Sequence, residues 1–192
     1  MSDFTLGANI LNAMQPPINN ENKKEWCKYG EDKEMEFLMN IAPSKSQLRD
    51  LILHPNKELD KYETDFVYQR NQSKHADLKR VTTPFFKSGN YGYDPNHTVT
   101  INHKDYIRYS YKYPNWGDEK LGIIFWVTWE KMKMFDIQVE PQDGIWILPL
   151  ELLDKWIRNR MIACHEYLSR QENAGTNAKL SWLIDLRLCI QI

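Results

Sequence analysis

Three side chains in the stretch KYETDFVYQRNQSKHADLKRVTTP, residues 61–84, have the types and spacing for phosphate chemistry: Asp65, then Asp77 and Lys79. Residues 64–68 and 75–82 are β-branched or aromatic runs on either side of a polar turn, Gln69 to Lys74, which is a hairpin signal. Alternation along a strand sends Asp77 and Lys79 to one face and Ala76, Leu78 and Arg80 to the other. Asp65 reaches the same edge from the neighbouring strand. Two carboxylates make a hard, oxygen-rich site suited to Mg²⁺, which binds through one or two carboxylates and keeps several waters. Such an ion lowers the pKa of bound water and neutralises phosphate charge, and a nearby lysine orients or helps deprotonate that water.

Asp65 followed by Asp77-Leu78-Lys79 resembles the motif of the PD-(D/E)xK nuclease superfamily, whose fold serves many restriction endonucleases and junction resolvases. The resemblance spans roughly residues 30–130. It implies that Asp65 and Asp77 hold Mg²⁺, with Mn²⁺ as a substitute, and that Lys79 assists the attacking water. It also implies a DNA substrate and a restriction endonuclease-like core, a mixed central β-sheet with helices on both faces. One departure is visible, because Glu63-Thr64 rather than a proline precedes Asp65. Asp/Glu-x-Lys recurs at Glu21-Asn22-Lys23, Glu31-Asp32-Lys33 and Asp118-Glu119-Lys120, in loop-like or helix-start settings. The plainer alternative is a surface hairpin with cross-strand ion pairs. A non-catalytic nucleic-acid- or protein-binding module on the same fold is the functional alternative.

The elements that must position these residues follow from pattern. Residues 29–42 read as a helix with acids in the first turn and Pro43 after its end. Met35, Leu38, Met39 and Ala42 form its buried stripe, flanked by Phe37 and Ile41, and Glu31 and Glu34 fall on or beside it. Members of the superfamily often carry a Glu on such a helix a few positions after a Gly. Gly30 and Glu34 resemble that arrangement, which makes Glu34 the third acid and metal ligand, with Glu31 in reserve. Residues 98–101 read as a strand, and Asn102 as the N-cap of a helix over 103–111. Its cations Lys104, Arg108 and Lys112 recur at i, i+4, i+8 and form one face, either tracking phosphates or solvated. Residues 121–129 are apolar almost throughout and read as a central strand covered on both faces, completing a βαβ crossover from the hairpin. A strand over 143–148, a helix from Leu150 to about Glu166 and an apolar segment over 181–190 follow. The loop over 85–97 sets rings beside Gly and Lys, which suits base stacking or packing on its own domain.

Composition bounds the rest. The chain has 192 residues, 42% hydrophobic and 27% charged, as expected of one ordinary domain. Residues 1–28 read as an N-terminal arm. A net charge of −1 leaves any DNA surface as a local patch. Three scattered cysteines offer no zinc spacing and fit a reducing, cytoplasmic setting. No stretch approaches the roughly 18 apolar residues of a membrane span. Symmetric cutting of duplex sites would require a homodimer.

Overall fold

Strand β5, Lys120–Trp129, is the axis of the fold. Its Ile123, Ile124 and Phe125 are all fully buried, so both faces are covered, as continuous apolarity predicts. The computed structural model describes residues 23–60, 62–114, 120–134, 136–167 and 179–192. The chain divides into two compact units, residues 1–51 and 52–192. Residues 1–22 of the expected N-terminal arm lie outside the described residues.

In the first unit, α1 runs over Lys23–Glu36, beginning within the stretch expected as an arm. A π-helical run, Phe37–Ile41, and a 3₁₀ turn, Ala42–Ser44, follow. The expected stripe is corrected here. Phe37 and Ala42 are buried, while Met35 and Met39 are exposed, Met39 by 68%. The wider π turn rotates the face that a 3.6-residue period would present. Glu31 is exposed and Glu34 half-buried. Lys33 is buried and paired with Glu36 at 2.6 Å.

The six-stranded sheet has the order β1-β2-β3-β5-β8-β11. Its members are β1 Leu51–Leu53, β2 Phe66–Tyr68, β3 Asn71–Val81, β5, β8 Gln142–Pro149 and β11 Ile190–Gln191. Strands β2 and β3 form the expected antiparallel hairpin, but β3 starts at Asn71, so most of the expected turn is strand. Strands β3 and β5 are parallel, with Asp77 beside Ile123 and Lys79 beside Phe125. Strand β8 is antiparallel to β5, which makes the sheet mixed.

The crossover from β3 to β5 carries β4, Thr98–Asn102, and helix α2, His103–Lys112. Strand β4 leaves the main sheet to join a three-stranded one, β4-β10-β9, with β9 Cys164–Glu166 and β10 Leu180–Asp185. Asn102 occupies the N-cap position, but its side chain accepts the Ser181 hydroxyl at 3.2 Å instead of capping. Helix α3 covers Leu150–Arg158 only. The expected continuation to Glu166 is corrected: Arg160 takes a positive φ of 54°, the helix stops, and β9 follows. A hairpin of β6, Met132–Met134, and β7, Ile137–Val139, was not expected.

One apolar cluster joins Leu121, Ile123 and Phe125 of β5 to Tyr106 and Tyr109 of α2, and to Leu153 and Trp156 of α3. Both helices of the second unit therefore lie on the same face of the main sheet. Among the described residues no helix is long and apolar enough to cross a membrane. Cys27, Cys164 and Cys189 are free thiols.

Candidate active site

Strand alternation sets His75, Asp77 and Lys79 on the face of β3 that α2 covers. The hairpin register pairs Phe66 with Ala76 and Val67 with His75, and one further step back brings Asp65 level with Asp77. Asp65 precedes β2 and completes the ladder with its side chain. Its Oδ2 accepts the Leu78 amide at 2.7 Å, while its carbonyl accepts the His54 amide at 2.9 Å. Its Oδ1 pairs with the Lys57 ammonium, from the turn after β1. A buried carboxylate thus replaces a strand partner on the β3 edge and lies beside Asp77.

Helix α2 supplies the other half. Asp105, Arg108, Tyr109, Lys112 and Tyr113 follow at i, i+3, i+4, i+7 and i+8, one helical face turned onto β3. Asp77 is 3% exposed, and its Oδ2 accepts the Tyr109 hydroxyl at 2.6 Å. The Lys79 ammonium lies 3.0 Å from Asp77 Oδ2 and 2.8 Å from Asp105 Oδ2. The Arg108 guanidinium is 3.6 Å from Asp105 and 3.9 Å from Asp77 Oδ1. Three carboxylates and three cations are gathered here, counting Lys57.

The charge states follow. Burial alone would lower the Lys79 pKa, but Asp77, Tyr109 and Asp105 together hold it well above its ordinary value. Lys79 is therefore an ammonium, a donor and not a proton acceptor. Burial, and then Asp77, push the Tyr109 hydroxyl well above its ordinary value, so it remains a phenol that donates.

A second polar cluster lies along the same strand and helix. Buried Glu63 accepts the Lys112 ammonium and the Tyr113 hydroxyl, each at 2.7 Å, and the Thr64 amide at 3.1 Å. These bonds overcome the cost of burial and hold its carboxyl at about 2. His54 sits with Nε2 3.6 Å from Glu63, accepts the Asn56 amide on Nδ1 at 3.2 Å, and stacks on His75 at 5.4 Å. Burial, opposed by Glu63, lowers its pKa.

The hairpin and α2 bring together Asp65, Asp77 and Lys79. Glu34 belongs to the first unit. The proposed cationic face of α2 is corrected. Lys104 is exposed, but Arg108 and Lys112 turn inward onto carboxylates. Lys57, Asp105 and Tyr109 were not singled out from sequence, and Arg108 was assigned to the cationic face instead of this centre. The available signal was an acid, an arginine and a tyrosine on the same helix face as the apolar-facing Tyr106.

The donor types fit a small hard cation: two buried carboxylates, Asp65 just before β2 and Asp77 on β3, with oxygen ligands only. Among the described residues no group of three or more His, Cys, Asp or Glu side chains is arranged to hold a metal. Any ion would therefore rest on Asp65 and Asp77, in place of their present lysine partners. No family model matches the chain, and no curated protein matches it.

Proposed function

We propose that the Asp65–Asp77–Lys79 centre makes this protein a Mg²⁺-dependent endonuclease hydrolysing DNA phosphodiester bonds, resembling the PD-(D/E)xK superfamily in restriction, junction or repair chemistry. One observation carries the reading. The Asp65 carboxylate is lodged on the Leu78 amide, beside Asp77, on the strand where the Lys79 ammonium stands 3.0 Å from Asp77. Asp65 and Asp77 would hold the ion. When bound, it would polarise a phosphate and lower the pKa of a water.

The chain's own groups define the remaining roles. The Lys79 ammonium donates to the attacking water and offsets negative charge developing on the phosphate. Asp105 positions Lys79, and Tyr109 fixes one oxygen of Asp77. Arg108 is the cation able to turn from Asp105 towards a phosphate. Glu34 enters only through the resemblance. A reducing, cytoplasmic setting is consistent with three free thiols, and a homodimer would be needed for symmetric duplex cutting.

A second reading is favoured by the ion pairing. Each carboxylate already faces a protein cation, as in a structural clasp on a binding module. The test is cleavage of supercoiled and linear DNA with Mg²⁺ or Mn²⁺ beside EDTA. Metal-dependent cutting lost in Asp77→Ala and Lys79→Ala supports the nuclease. No cutting of duplex, branched or single-stranded DNA, with no Mn²⁺ binding by calorimetry, supports the clasp.

A further inference from the structure

A cleft of about 380 Å³ is lined by the end of β3 and the residues after it, Leu78 to Phe85, and by Val99, Thr100 and Tyr167. It lies at the low end of the range for small-ligand sites, roughly 300–1,000 Å³, and is too small for a duplex. Its aromatic lining is held in place. Phe85 is fixed by its amide to the Thr98 carbonyl at 3.0 Å, and Tyr167 by its amide to the Lys179 carbonyl at 2.8 Å. Both rings pack on buried His165, at 4.9 Å and 4.5 Å between centroids. His165 is itself tied to the Tyr91 hydroxyl through Nδ1 at 2.8 Å. The wall is rigid before any ligand arrives, so little ordering is needed on binding. Thr82, Thr83 and Lys79 also line the cleft, and the Lys79 side chain, paired with Asp77, is 25% exposed.

One cleft thus gathers two aromatic residues, two threonines and a lysine, the residue types that suit the base, sugar and phosphate of one unpaired nucleotide. We infer that this cleft seats a single unpaired nucleotide of the substrate strand, its base against Tyr167 and Phe85 and its phosphate directed to Lys79. The inference rests on the nucleic-acid reading of the neighbouring carboxylates. It adds that the strand is taken unpaired on this side.

The test is fluorescence anisotropy of the full chain with a fluorescein-labelled ten-residue oligothymidylate and a blunt duplex, in Ca²⁺ and again in EDTA. Removing a stacking ring costs about tenfold in single-strand affinity. Tyr167→Ala should show that loss for the oligothymidylate and not for the duplex. Tyr167→Trp should restore it, with thermal melting showing that both variants are folded. Failure of the wild type to bind the oligothymidylate would overturn the inference, as would equal binding by Tyr167→Ala. Binding that depends on Tyr167 in a protein that cuts nothing would uphold the cleft and remove the nuclease. Metal-dependent cutting with single-strand affinity and KM indifferent to Tyr167 would do the reverse.

Discussion

Strand β3 and helix α2 meet through two polar clusters that are built on opposite terms. At Glu63 one carboxylate receives three short bonds, from Lys112, Tyr113 and the Thr64 amide. At Asp77 the donors are divided. Lys79 serves both Asp77 and Asp105, and Arg108 stands 3.6 Å and 3.9 Å from its acids, outside hydrogen-bond length. A saturated network fixes one geometry, whereas a shared one can exchange a protein cation for an incoming charge at less cost. The first cluster has the makeup of a structural anchor, and under the proposed function the second is the one that would exchange its cations.

That division can be broken by substitution. The largest expected effect is on activity: Asp77→Asn should lower DNA cleavage about a thousandfold, read as plasmid nicking under Mg²⁺. Its loss in thermal midpoint should be smaller than that of Glu63→Gln. Lys79→Ala should cost about a hundredfold in the same assay, with no shift of the pH profile towards a lysine pKa, because the ammonium is a donor throughout. Glu63→Gln should keep the cleavage rate of the folded protein and lose about 2–3 kcal/mol of stability, a fall of roughly 6 °C in melting temperature.

The Glu63 loss should depend on pH with a defined sign. Its carboxyl is held at about 2 when folded, against an ordinary 4.5. Its contribution is complete above 4.5 and disappears as pH falls towards 2. Urea melts of wild type and Glu63→Gln should therefore converge on acidification. Tyr113→Phe removes one of the three bonds and should cost about 1 kcal/mol by the same melts. A catalytic defect in Glu63→Gln, or a purely thermal one in Asp77→Asn, would erase the distinction between the clusters.

Much of the frame was legible because period-2 alternation and apolar runs are local signals. The hairpin, the buried strand β5, helix α2 and their order came from such signals, as did the placing of Asp77 and Lys79 on one strand face, where they pair at 3.0 Å. Other features depended on contacts distant in sequence. The apolar face of α3 continues smoothly into Met161 and outweighed the one local stop signal, Asn159 at the C-cap, after which Arg160 turns to positive φ. The stripe on α1 failed because a π turn changes the period without changing composition. The roles of Lys57, Asp105 and Arg108 were hidden because each meets a group on or beside the hairpin, Asp65, Lys79 and Asp77, 8 to 31 residues away in sequence. The Asp65 bond to the Leu78 amide was equally silent, being a side chain answering a backbone group across the hairpin.

The parallel pairing of β3 with β5 also sets a clock. Asp77 meets Tyr109, 32 residues downstream, under a helix that is fastened only when Lys120–Val127 slide in beside Lys74–Val81. The hairpin alone can form early, but its carboxylates are then bare of Asp105, Arg108 and Tyr109. At roughly 5–20 residues per second of synthesis, the ~50 residues from Asp77 to Val127 take several seconds to appear. During that interval a growing chain carries the two carboxylates of the hairpin without the guanidinium and hydroxyl that later hold Asp77.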